Sequence, residues 1–245
     1  MKILGIIPAR FASSRFPGKP LASIGEKTMI QCVYTQACQS SLLDEVIVAT
    51  DDQRIYDEVI SFGGQVIMTS SSHKNGTERC AEVINQRKDI DYIVNIQGDE
   101  PFIHPEQIDT VCRMLTGQVE IVTLVKPIQN YDELDDPGEM KVVFNNKNQA
   151  LYFSRACIPF QRDVRPELRM EHHTYYKHIG IYAYRSDVLP KLVSLDSSSL
   201  ETAESLEQLR WLENGYSIQL GFTNLESHMI DTPADLAKLL NEIEL

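Results

Sequence analysis

No apolar run in this chain approaches the ~20 residues a membrane helix needs; the longest, such as Ile3 to Pro8 and Val119 to Val125, are short. The first residues also lack the apolar core and cleavage site of a secretory signal, so the expected location is the cytoplasm. Cysteine is sparse: Cys32, Cys38, Cys80, Cys112 and Cys157 are odd in number and form no CxxC. That argues against a disulfide framework and a structural zinc site and leaves small, reduced core residues. Positive charge is in deficit, 23 Lys+Arg against 35 Asp+Glu for a net −12, which speaks against broad binding to nucleic acid or to a membrane. Two glycine motifs are missing as well. Gly18-Lys19 runs into Pro20 without Walker spacing, and there is no GxGxxG, Gly63-Gly64 reading as a turn, so kinase-type and dinucleotide-type readings lose ground.

What is present is an ordinary folded composition: 245 residues, 42% hydrophobic and 24% charged. We read residues 1–245 as a single domain. Strand-like runs at Ile3 to Pro8, Val46 to Ala49, Gln65 to Met68 and Asp91 to Ile96 alternate with helix-like stretches at Thr28 to Ser40, Gln53 to Ser61 and Gly76 to Gln86. That alternation predicts an α/β fold, a mostly parallel sheet covered on both faces, with ligands at the C-terminal strand ends. After a helix at Pro105 to Leu115 the pattern turns strand-rich over about 120–185, predicting a mixed or antiparallel inserted region. Phe160 to His173, charged and containing Pro166, reads as a mobile excursion. Ser198 and Glu201 have capping-box spacing, and Leu200, Ala203, Leu206, Leu209 and Leu212 predict one helix beyond them.

Three cations, Arg10, Arg15 and Lys19, fall within the loop that follows the first strand. Together with the loop's backbone amides they suit a polyphosphate, in a protein otherwise acidic. After the fourth strand, Gln97-Gly98-Asp99 would bring a carboxylate to the same sheet edge, with Gly98 allowing a sharp turn. A hard divalent cation such as Mg²⁺ fits one or two carboxylates plus substrate phosphates; a turn-forming role for Asp99 is the plainer alternative. Near the end, Thr232, Pro233 and Asp235 spell a helix start, leaving Asp231 spare as a second ligand or as nothing. His172-His173 look like a metal pair only superficially, since strand neighbours point apart.

Taken together, Pro8-Ala9-Arg10 with Arg15-Phe16-Pro17-Gly18-Lys19-Pro20, Val48-Ala49-Thr50-Asp51, Met68-Thr69, Gly76-Thr77-Glu78-Arg79 and Asn95 through Pro101 resemble one family. So do Ala150 through Arg155, Lys177 through Tyr182, Leu206 through Arg210 and Ile230 through Pro233. The family is the 3-deoxy-manno-octulosonate (Kdo) cytidylyltransferases, or CMP-Kdo synthetases, and the likeness covers nearly the whole chain. It implies a Rossmann-like nucleotidyltransferase fold with an inserted dimerisation region, a homodimer, and transfer of CMP from CTP to the anomeric hydroxyl of Kdo for lipopolysaccharide synthesis. It further implies Mg²⁺ as cofactor, held by Asp99 and Asp231, with Lys19 as catalytic partner. Pro8, Ala9, Arg10, Arg15, Lys19, Gln97, Gly98 and Asp99 match the nucleotide site. Arg79, Arg155, His178, Tyr182, Glu207 and Gln208 match the sugar pocket, where cations suit an acidic sugar. From the residues alone Arg79 and Glu207 are equally surface charges, and His178 a hydrogen-bonded structural histidine. Transfer to sialic acid or 8-amino-Kdo, and a nucleotide-binding regulator without catalysis, are the competing functions.

Overall fold

The computed structural model describes residues 1–13, 15–226 and 229–243, so Ser14 of the cationic loop lies outside the described residues. In chain order the first half comprises β1 (Ile3–Ala9), the two-residue strands β2 (Ser23–Ile24) and β3 (Lys27–Thr28), α1 (Met29–Ala37), β4 (Glu45–Thr50), α2 (Gln53–Ser61), β5 (Val66–Met68), α3 (Gly76–Gln86), β6 (Tyr92–Asn95) and α4 (Pro105–Arg113). The second half adds β7 (Ile121–Pro127), α5 (Tyr131–Asp135), β8 (Lys141–Phe144), β9 (Ala150–Ser154), α6 (Arg169–His172), β10 (Tyr176–Arg185), α7 (Leu189–Val193), α8 (Ser199–Glu204), α9 (Glu207–Glu213), β11 (Ile218–Phe222) and α10 (Pro233–Ile243).

Nine strands form one sheet in the order β11-β7-β10-β6-β1-β4-β5, with β8 joined to β10 and β9 beyond it. β1 pairs in parallel with both β4 and β6, and β4 in parallel with β5. Because β1 is covered on both faces, its apolar residues divide by pleat: Leu4 and Ile6 join one buried layer, Ile3 and Ile7 the other. The chain leaves β1 towards β4 on one side and later returns through β6 on the other. That reversal opens a crevice at the C-terminal ends of β1 and β6.

β10 runs antiparallel to β6 and β7, while β11 lies parallel to β7. The strand-rich half therefore extends the main sheet as a mixed one, β7 and β10 standing inside it rather than apart. Phe160 to His173, expected to be mobile, carries a short 3-10 turn and α6, with Arg169 ion-paired to Asp135. His172 ends that helix, so the two histidines are not strand neighbours as expected.

The expected single helix beyond Ser198 is two. Its capping box forms as predicted, but Ser205 turns left-handed at φ 53° and α9 starts afresh at Glu207. The break is structural: it lets Arg155 Nε donate to the Glu204 carbonyl and turns Glu207 towards α3. A β-branched residue at this left-handed position should cost about 1–2 kcal/mol; Ser205→Val is expected to lower the urea midpoint accordingly, measured by circular dichroism.

Candidate active site

The loop after β1 is closed by its own backbone, the Gly18 amide donating to the Phe11 carbonyl at 2.9 Å. Gly18 sits at φ +71° against the Phe11 ring, which is itself covered by the Arg54 guanidinium. This closure starts a 3-10 turn at Lys19 and points the chain back to the sheet edge.

Gly98 stands in the expected turn at that edge, the Glu100 amide donating to the Gln97 carbonyl at 3.3 Å. Its backbone is not left-handed; instead a Cβ there would stand 2.8 Å from the Pro8 carbonyl oxygen. Gly76, at the start of α3, is pressed on the Pro8 ring in the same way. The turn at 97–100 and the close approach of three backbones together bring the ends of β1 and β6 and the start of α3 into contact.

Lys19 Nζ occupies the junction. It donates to Asp99 Oδ2 at 2.6 Å and to the Ile230 carbonyl at 2.8 Å, and lies 3.5 Å from Asp231 Oδ1. Arg15 reaches the other oxygen of Asp231 at 3.1 Å. The Ile230 amide donates to the Asp99 carbonyl, tying the two acidic loops through their main chains. Asp99 Oδ1 is enclosed yet has no hydrogen-bond partner among the described residues. An anionic oxygen in that state is costly unless something positive meets it. The arrangement therefore suits a hard cation shared by two carboxylates and completed by water and phosphate. Asp235, at the third position of α10, accepts from the Thr232 amide as the sequence predicts, leaving Asp231 to face Lys19.

A cavity of about 270 Å³ opens here. Pro8, Ala9, Arg10, Arg15 and Lys19 form one wall, and Gln97, Gly98, Asp99 and Asp231 another. Arg79, also in its lining, is no surface charge: it is 3% exposed and paired to Asp51 at 3.1 Å. The third wall was not anticipated. His73, Lys74 and Asn75 stand there, and only Asn75 carried a signal, as the N-cap that accepts from the Glu78 amide. A larger hollow of about 770 Å³ lies at the opposite sheet edge, but its arginines, Arg87 and Arg185, are committed to Glu45 and Asp187.

The other predicted sugar residues lie outside the lining of the 270 Å³ cavity. Glu207 is near it, accepting from Asn75 at 3.0 Å and Thr77 at 2.8 Å; burial raises its pKa despite these donors. Gln208 is buried beside it. Arg155 donates to the carbonyls of Glu204 and Pro137, at 2.8 and 2.9 Å. His178 and Tyr182 share a face with rings 5.1 Å apart, across a bulge in the β7–β10 pairing. Neither His178 Nδ1 nor the Tyr182 hydroxyl has a hydrogen-bond partner among the described residues.

His178 corrects one expectation. Burial pushes its pKa down to about 3, so it is held neutral and is not one of the cations expected around an acidic sugar. Its Nε2 is 2.9 Å from the Thr123 hydroxyl.

A chain relative described as 3-deoxy-manno-octulosonate cytidylyltransferase from Parabacteroides distasonis is 53% identical, over 98% of this chain and 97% of its own. Another of that description, from Phocaeicola vulgatus, is 54% identical over 97% of this chain and 96% of its own. A family model described as cytidylyltransferase matches residues 4–218. Among solved structures, a CMP:2-keto-3-deoxy-manno-octonic acid synthetase complexed with CTP aligns over 100% of both chains, with a TM-score of 0.92 and 42% identity.

Two outcomes follow from the geometry. Gly98→Ala is expected to reduce turnover far more than stability, because the added methyl drives Pro8 and Asp99 apart at the crevice; parallel initial-rate and thermal-melt measurements separate the two. Below pH 6.5 the unfolded chain takes up a proton at residue 178 that the folded chain refuses down to about 3. Stability is thus complete above the unfolded pKa and lost as pH falls, by about 1.4 kcal/mol per unit. Denaturant titrations at pH 6 and 5 should show His178→Gln lacking that part of the slope.

Proposed function

The chain belongs to the 3-deoxy-manno-octulosonate cytidylyltransferases, and from that premise we propose that it transfers CMP from CTP to Kdo at the crevice described above. The observation that carries this reading is the meeting of Lys19, Asp99 and Asp231 within one cluster of contacts. In the reaction the anomeric oxygen of Kdo forms a bond to the α-phosphorus, the bond from that phosphorus to the bridging oxygen breaks, and pyrophosphate departs as the hydroxyl loses its proton.

Negative charge grows on the phosphate oxygens and the leaving group. Lys19, Arg10 and Arg15 are preorganised cations on that side, and their role is to hold the triphosphate and stabilise this charge. Gln97, with its amide nitrogen 3.1 Å from the Gly180 carbonyl, and the wall at Asn75 position the nucleoside. Asp99 and Asp231 are the residues that would hold Mg²⁺, whose partnerless Asp99 oxygen is the fit. When bound, that ion supplies positive charge to phosphate oxygens and lowers the pKa of a coordinated hydroxyl. Arg79, Arg155, His178, Tyr182, Glu207 and Gln208 line the sugar side.

Among the described residues no helix is long and apolar enough to cross a membrane, consistent with a cytoplasmic enzyme supplying CMP-Kdo to lipopolysaccharide synthesis. Leu151 on β9 and Phe160 are exposed apolar residues, 59% and 85%, and support a homodimer formed through the strand-rich half.

Pyrophosphate release from CTP and Kdo tests the activity, with UTP and sialic acid as controls expected to be poor; equal rates with UTP or with sialic acid would overturn it. Lys19→Ala should lose about 10²–10³-fold in kcat, the cost of one preorganised donor. Asp99→Asn and Asp231→Asn should abolish turnover with unchanged circular dichroism. Near-normal kcat for either at saturating Mg²⁺ would remove it from the metal site.

A further inference from the structure

Two long-range cationic contacts converge on Glu226, four residues before the Ile230 carbonyl that Lys19 engages. Glu226 is ion-paired to Lys126 on β7 and accepts from Lys177 on β10 at 3.0 Å. Both lysines are buried within the sheet, Lys177 with only 5% of its side chain exposed. Lys177 also pairs with Glu139 at 3.3 Å and Glu133 at 3.5 Å, both belonging to the strand-rich half. Burial opposes charge on Lys177, but the three carboxylates outweigh it and its pKa is raised. Next to it in sequence stands His178, on the proposed sugar side.

The chain after β11 therefore has two described anchor points. At one end Thr223 donates its amide to the Val125 carbonyl and Glu226 grips the two lysines. At the other, Ile230 is buried, its amide bonded to Asp99 and its carbonyl to Lys19. Asp231 is exposed on one side and has no such anchor of its own within the sheet; its partners are Lys19, Arg15 and the start of α10.

We propose that Glu226, through Lys126 and Lys177, is a positioning residue that fixes Asp231 opposite Asp99 and in register with the sugar-side strand β10. The inference rests on the reading of Asp231 as a metal ligand. It also accounts for the buried ammonium of Lys126: a buried charge is tolerated only with a partner, and Glu226 is the carboxylate paired with Lys126 and one of three around Lys177. A single carboxylate meeting two strands fixes position in two directions, which one surface ion pair cannot do.

Mn²⁺ binding to the full-length enzyme with CTP, followed by electron paramagnetic resonance, and hydrogen exchange of the peptide containing residues 229–231 test it without turnover. Glu226→Gln keeps the shape and removes the charge. It is expected to weaken Mn²⁺ binding about 10–100-fold, the range typical of groups that orient metal ligands, and to accelerate exchange at 229–231. Glu139→Gln, which removes a partner of Lys177 outside this segment, should do neither. If Glu226→Gln fails to fold, Glu226→Asp keeps the charge with a shorter reach, and should still weaken binding and speed exchange. Unchanged exchange at 229–231, or equal effects of the Glu226 and Glu139 variants, overturns the inference. Asp231→Asn is measured beside them: if it weakens Mn²⁺ while the Glu226 variants do not, the positioning role fails and the metal reading stands. If Asp231→Asn leaves Mn²⁺ affinity intact, both fall.

Discussion

Two carboxylates from loops at residues 99 and 231 meet on one ammonium, and the rest of the molecule is arranged so that they can. Lys19 reaches both only because Pro8, Gly76 and Gly98 bring three backbone segments into contact. Side chains there would hold the ends of β1 and β6 apart. The doubly covered sheet supplies the rigidity this approach needs, since β1 is buried on both faces and hydrogen-bonded on both edges. Asp99 and Asp231 themselves stand on loops, which this scaffold and the Ile230 amide on the Asp99 carbonyl hold together.

The overall charge of −12 gives this local arrangement its selectivity. An acidic surface repels polyanions in general, whereas one cleft concentrates Arg10, Arg15 and Lys19 on a single wall. Polyanions long enough to touch the remaining surface gain little, and a triphosphate small enough to enter the cleft gains most. Asp99 and Asp231 temper that wall, so a bare phosphate meets carboxylates unless a cation accompanies it.

Local grammar was legible in the sequence and long-range contact was not. α2 and α3, β9 and β10, and the caps at Ser198 and Thr232 follow from periodicity and capping residues within a few positions of each other. The expected continuous helix over Leu200 to Leu212 fails because apolar spacing cannot register a left-handed residue at 205 or the pull of Arg155 on the Glu204 carbonyl. Likewise the turn at Gly98 was legible, but the atom that excludes a side chain there was not, since it is the Pro8 oxygen, ninety residues away. Lys126 and Glu226 carry no motif at all, and Lys177 opens the stretch through Tyr182 without any sign of its partners. Only the register of β7 against β10 brings the two lysines side by side.

The two ends of the site solve opposite electrostatic problems. At the Lys19 end the cations are balanced by two aspartates, Arg15 standing exposed at the mouth and Lys19 enclosed with 14% of its side chain exposed. Around His178 and Glu207 burial works against charge: His178 is held uncharged, and burial raises the pKa values of Glu207 and Tyr182. Arg79 there is already paired with Asp51. Arg155 differs, for its guanidinium is held by carbonyl oxygens, and among the described residues it makes no ion pair. The Glu204 carboxylate, which accepts from the Arg155 amide at 3.0 Å, offsets part of its positive charge. A neutral imidazole such as that of His178 keeps a nitrogen able to accept a hydrogen bond, which a charged one lacks.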